Sequence, residues 1–340
     1  MTRQLFSLAV VAVLVLWLLP PGARAAASSP AASNAEPDAK SRVERLDWVD
    51  PRRQRTVPVL IRFPAKEHDS PVPVVLVSHG LGGTRDGLSY VGEHWAANGY
   101  LVVHLQHHGS DSSVWEGVPR RERMRAMQQA TRKPGAALDR AHDVRFVIDK
   151  LMAERALQSD LGRLVDPERI GIAGHSYGAW TVLASTGLSM GGRNGMKVAD
   201  ARLKVGIPMS SPFNARNDAS NYAAITVPTL HITGTRDTGG ELNPGLTPEM
   251  RTMPYQLSPA GAQHLVVLED ADHMVFAGRE AGMMGERNQP RDAPHHAVIR
   301  RITLDFLDAY LKANDPAAIA AFREAKLREG VGDEGVVQVK

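Results

Sequence analysis

Arg169-Ile170-Gly171-Ile172-Ala173-Gly174-His175-Ser176-Tyr177-Gly178, continued by the run Ala179 to Thr186, is the stretch on which the reading of this chain turns. Arg169 to Ala173 has the length and apolar character of a buried strand and Ala179 to Thr186 suits a helix, so strand passes into helix across a pentapeptide with glycine at both ends. Glycines flank a serine there because such a turn is too tight for nearby Cβ atoms. The turn lifts the serine Oγ clear of the sheet and sets it at a helix N-terminus, whose unpaired N–H groups favour negative charge. Ser176 is the candidate nucleophile. A second G-x-S-x-G run, Gly187-Leu188-Ser189-Met190-Gly191, follows the helix instead of preceding it. Its glycines read as a C-terminal cap, and Ser189 as structural.

Outward from this stretch, short apolar runs alternate with longer segments of helical spacing, the pattern of a mainly parallel sheet covered by helices. Strands are expected at Val72 to Ser78, Leu101 to Gln106, Leu203 to Pro208, Val227 to Thr233 and His264 to Leu268. Helices are expected at Ala137 to Ala153 and Pro294 to Lys312, and a first antiparallel pair within Arg45 to Phe63, turning at Pro51-Arg52. Asp111 to Pro134, with Trp115, and Gly278 to Ala293, with Met283-Met284, fit neither pattern. As excursions beyond strand ends, they are expected to overhang the ligand crevice, with Trp115 and the methionines as its roof.

A hydroxyl nucleophile needs a base, and thirteen histidines compete for the role. In a strand-turn-helix site of this kind the order along the chain is serine, acid, histidine, with the base after the last strand. His273 meets that order. His295 and His296 stand at the head of the terminal helix and are expected to cap or solvate it. His107-His108 lacks the carboxylate spacing of a metal site. Asp237, just beyond the preceding strand, is placed to accept the Nδ1–H of His273, with Asp270 and Asp272 as rivals from its own loop. His79-Gly80-Leu81-Gly82-Gly83 follows the strand Val72 to Ser78, where a second backbone donor to an oxyanion is expected. The N–H groups of Leu81 and Tyr177 are therefore the candidate oxyanion hole.

The N-terminus reads as an address. Arg3 precedes an apolar run from Leu5 to Leu19, followed by Pro20-Pro21 and Ala23-Arg24-Ala25, as in a secretory signal peptide cleaved after Ala25. The run of about 15 residues falls short of the roughly 20 that span a membrane. Residues 26–42, rich in alanine, serine and proline, read as a flexible leader to a single domain over residues 43–340. Cleavage removes two arginines and no acid, lowering the formal charge from +3 to +1, which gives no reason to expect nucleic acid or an anionic membrane as partner. The mature protein is expected to be secreted or periplasmic, without stable membrane insertion. The absence of cysteine excludes disulfides, thiolate metal sites and a cysteine nucleophile.

Taken together, His79 to Gly83, Gly174 to Gly178, Asp237 and Asp272-His273-Met274 resemble the platelet-activating-factor acetylhydrolase-like and serine-type dienelactone-hydrolase-like branch of the α/β-hydrolases. The resemblance extends over about residues 43–312. It implies an α/β-hydrolase fold with a mainly parallel sheet of about eight strands, no metal or cofactor, and a small or lipid-like ester as substrate, with polymer and pigment esters open. Dienelactone hydrolases proper use cysteine, which this chain lacks, so lactone-ring hydrolysis is not implied. The function expected is carboxylic ester hydrolysis through an acyl-enzyme. Its alternatives are a small-peptide or acylaminoacyl hydrolase with the same three residues, and a catalytically silent binding protein.

Overall fold

The computed structural model describes residues 41–133, 135–190, 195–278 and 292–340. The predicted signal peptide, nearly all of the leader, and Met283-Met284 lie outside the described residues. Residues Asp38–Lys340 form one compact unit. Among the described residues its sheet has nine strands in the order β1-β2-β4-β3-β5-β6-β7-β8-β9. These are β1 Val43–Asp50, β2 Arg55–Arg62, β3 Val72–Ser78, β4 Leu101–Leu105, β5 Val165–His175, β6 Leu203–Met209, β7 Thr229–Arg236, β8 Gln263–Asp272 and β9 Gly335–Val339. Strands β3 to β8 run parallel, while β1, β2 and β9 are joined antiparallel at the two edges. This mixed α/β architecture, a large, mostly parallel sheet flanked by helices, is consistent with an α/β-hydrolase fold. The ninth strand exceeds the expected eight and is a short, half-exposed edge strand against β8.

The central strands read as continuous apolar runs because both of their faces are covered. In β3, Val75 and Val77 enter one core with Trp95, Tyr100 and Phe306, while Val74 and Leu76 enter the other with Val144, Val147 and Leu151. The period of two thus divides one strand between two layers. Helices Ser89–Ala97 and Asp292–Leu307 cover the first face, and Ala136–Ala156 covers the second. The expected terminal helix is confirmed, continued beyond Leu307 by π-type turns over Asp308–Ala313.

Part of the Asp111 to Pro134 excursion is regular, contrary to expectation. Ser112–Val114 makes a 3₁₀ turn and Arg120–Thr131 an α-helix. Only Met127 and Ala130 of that helix are buried, so its apolar face is narrow and its charged residues dominate the sequence.

Candidate functional site

Five neighbouring parallel strands deliver their C-terminal ends to one edge of the sheet, the usual place for a ligand crevice in an open α/β sheet. His79 follows β3, Ser176 follows β5, Ser210 follows β6, Asp237 follows β7 and His273 follows β8.

Ser176 sits at φ 55° and ψ −115°, strained for an L-residue, as N-cap of the helix Tyr177–Thr186. Close approach explains the flanking glycines. A Cβ on Gly178 would lie 1.9 Å from the carbonyl oxygen of Ser78, and one on Gly174 would lie 2.5 Å from that of Gly178. The helix therefore starts pressed against the end of β3, with the hydroxyl left outside.

His273 Nε2 lies 3.0 Å from Ser176 Oγ, and its Nδ1 lies 2.9 Å from Asp237 Oδ1. Asp237 is fully buried. Burial works to raise its carboxyl, but the hydrogen bond and charge of His273, the Arg251 guanidinium and the Ser210 hydroxyl together hold it below the usual carboxylate range. It is thus an ionised acceptor that selects the Nδ1–H tautomer, leaving Nε2 free to accept from Ser176. The rivals point elsewhere. Asp272 Oδ1 accepts the N–H groups of Met274 and Val275, capping the turn after His273, and Asp270 is exposed 3.8 Å from Arg236.

Two members of this cluster were missed in the sequence. Ser210 Oγ donates to Asp237 Oδ1 at 2.9 Å and lies 2.6 Å from His273 Nδ1, so acid and hydroxyl share one imidazole proton. Its signal was positional, since it follows β6 as Ser176 follows β5. Arg251, buried in the helix Pro248–Leu257, places Nε 2.7 Å from Asp237 Oδ1 and donates to the carbonyls of Asp237, Ser210 and Thr238. A lone arginine in a helical stretch carries no sequence signal for this.

Three further histidines are structural partners of the site. His175 lies against Gly80 and donates Nε2–H to the carbonyl of His273 at 2.9 Å. His295 and His296 are buried, not solvated, and bond the carbonyls of Glu269 and Val275 on either side of His273. Ser189 is buried beside Asn221, which exchanges backbone and side-chain bonds with it.

The glycine turn is held from behind. His107 N–H donates to His79 Nε2 at 3.0 Å, which assigns the ring proton to Nδ1, and this donates to Gly80 O at 2.6 Å. The Gly80 carbonyl also accepts from Gly83 N–H. A trans peptide sets C=O and N–H on opposite sides, so the Leu81 N–H faces the other way. No acceptor among the described residues takes it. Tyr177 N–H, first in its helix, has no intrahelical partner. Trp115 is not a roof. Its Nε1 donates to Gly82 O at 2.8 Å, bracing the turn from the side.

A cleft of about 430 Å³ opens over Ser176 and His273. Its apolar lining comes from Leu81, Leu88, Met124, Met127, Leu242 and Met274, with Met124 and Met127 supplied by the helix Arg120–Thr131. Gln128 Nε2 donates to Glu241 O, joining this helix to the glycine-bearing loop after Asp237.

With this geometry in view, the chain can be compared with known families. Residues 53–132 match the family model described as platelet-activating factor acetylhydrolase, isoform II. The match bears out the resemblance drawn from the motifs and supports a hydrolase acting on esters. It covers the platelet-activating factor acetylhydrolase-like segment from the β1–β2 turn to the methionine helix, including His79 to Gly83, and ends before Ser176. Among curated proteins, none matches the chain. Among the described residues, no helix is long and apolar enough to cross a membrane.

Proposed function

We propose that this protein is an exported serine hydrolase that cleaves carboxylic esters through an acyl-enzyme, with Ser176 as nucleophile, His273 as base and Asp237 as its orienter. The observation that carries this reading is the unbroken Ser176–His273–Asp237 chain of 3.0 and 2.9 Å contacts, whose first two members line an apolar cleft. Ser176 Oγ attacks the ester carbonyl as His273 takes its proton, and His273 returns that proton to the leaving alcohol. Water, activated by the same imidazole, then releases the acid. In both tetrahedral intermediates the negative oxygen is assigned to the N–H groups of Leu81 and Tyr177.

The test compares p-nitrophenyl acetate and butyrate with aminoacyl p-nitroanilides, alongside a fluorophosphonate probe. Ester turnover with probe attached to Ser176 is expected, and kcat/KM should rise from acetate to butyrate by about four-fold per methylene, the equivalent of roughly 0.8 kcal/mol buried. Turnover of the anilides alone would favour a peptidase, and no labelling of a folded protein would leave a binding protein.

Export rests on the N-terminal pattern of Arg3, the apolar run and Ala23-Arg24-Ala25. Protein recovered from outside the cytoplasm of an expressing bacterium is expected to begin at Ala26. Recovery only from the cytoplasm, with Met1 or Thr2 first, would refute it.

A further inference from the structure

Behind the glycine turn lies a second serine, histidine and aspartate chain that the proposed mechanism does not use. Ser78 Oγ is 2.9 Å from His107 Nε2, and His107 Nδ1 is 3.0 Å from Asp143 Oδ2, distances that match those at Ser176. All three residues are buried to within 1% of full exclusion, and none lines the cleft. No substrate reaches Ser78, so the arrangement is not a second reaction centre. Burial, followed by the charge of Arg140, pushes His107 down to about 4, so it is neutral and Ser78 O–H donates to its Nε2. That leaves the Ser78 oxygen as an acceptor, and the group it accepts from is Arg140 at 3.2 Å.

Arg140 is fully buried in the helix Ala136–Ala156. Burial draws its guanidinium down to about 10, so it is charged at neutral pH. Among the described residues it contacts no carboxylate, and its donors go to neutral acceptors: His79 O, Ser78 Oγ, Ser110 Oγ at 3.0 Å and Thr181 Oγ1 at 2.9 Å. Its carbon also stands 4.5 Å from the centre of the Tyr177 ring. Apart from Ser78 at the end of β3, these contacts fall into two groups. His79 and Ser110 belong to the glycine turn, since Ser110 O accepts the N–H of Gly82. Tyr177 and Thr181 belong to the N-terminal end of the helix Tyr177–Thr186, where Thr181 Oγ1 donates to Tyr177 O.

We propose that Arg140 is a positioning residue that fixes, through one rigid guanidinium, the relative placement of the two backbone donors facing the developing alkoxide, Leu81 N–H and Tyr177 N–H. The proposal rests on the reading of Ser176 as nucleophile. The relay to Asp143 holds Arg140 in turn: Asp143 is anchored by Arg53 and Arg55, and through His107 it fixes the direction of the Ser78 hydroxyl. An oxyanion hole works only if its donors are aimed at the transition state before it forms, so their spacing is what such a brace protects.

The test compares wild type with Arg140→Met and Arg140→Lys. Arg140→Met is expected to lower kcat on p-nitrophenyl butyrate by about 100-fold, the scale of one lost oxyanion donor, with KM nearly unchanged. Affinity for phenylboronic acid, which forms a tetrahedral adduct on the serine, should fall with kcat while competitive inhibition by butyrate persists. Arg140→Lys keeps a charge but lacks the fork, and about a 10-fold loss of kcat at constant KM is expected. If Arg140→Met fails to fold, Arg140→Lys decides alone. Wild-type kcat in the variants, or equal loss of boronate and butyrate binding, would overturn the role of Arg140 while leaving Ser176 in place. Absence of esterase activity and of Ser176 labelling in wild type would overturn the functional reading, and this role with it.

Discussion

Ser176→Ala is expected to lower kcat on p-nitrophenyl butyrate by about 10⁵- to 10⁶-fold, and His273→Ala by nearly as much, because in the mechanism we propose nucleophile and base act as a unit. The residual rate should still exceed that in water, since the cleft and the N–H groups of Leu81 and Tyr177 are untouched. Neither variant should unfold. Ser176 anchors no core, its side chain meeting His273 Nε2 at the cleft, and the φ of 55° is tolerated by alanine about as well as by serine. Ser189→Ala, at the second G-x-S-x-G run, should keep wild-type turnover. Steady-state kinetics and thermal melts on the three variants check this. An active Ser176→Ala beside a dead Ser189→Ala would show that the nucleophile lies elsewhere.

How much of this was legible depended on where each residue's partners lie along the chain. The parallel strands were readable because burial on both faces forces continuous apolar runs, and their C-terminal ends then located Ser176, Asp237 and His273. The boundaries were less so. β5 begins at Val165 and β8 runs to Asp272, since polar residues at strand ends pair with neighbouring strands without changing the local apolar pattern. β9 escaped notice because five half-exposed residues at a sheet edge have little burial to advertise. The excursion with Trp115 illustrates a different limit. A tryptophan near a crevice has two uses, lining it or bracing it, and the choice is made by Gly82 O, a backbone atom that no side-chain pattern reveals. Arg140 and Asp143 are the hardest case. On a helix, charged residues default to solvent, and only the convergence of Ser78, His107, Arg53 and Arg55 from other elements reverses that default.

Asp237→Asn carries the second large expected effect, and Ser210 modifies its size. In other triads the same change costs about 10⁴ in kcat, because the amide donates to Nδ1 and drives the imidazole proton onto the nitrogen that should be the base. Here Ser210 Oγ lies 2.6 Å from Nδ1 and can accept that proton while donating to the new side-chain oxygen, which partly preserves the working tautomer. Asp237→Asn should therefore lose about 10³-fold, less than the usual penalty. Ser210→Ala alone should lose only a few-fold, since an ionised Asp237 remains to accept from His273 and the change removes one hydrogen bond of roughly 1 kcal/mol. The double variant should fall by about 10⁴, more than the product of the single losses, because each residue covers for the other. A double-mutant cycle on kcat measures that coupling directly. Strictly multiplicative losses would mean that Ser210 merely packs beside the acid. If Asp237→Asn left kcat within ten-fold of wild type while Asp272→Asn abolished turnover, the orienting carboxylate would be Asp272.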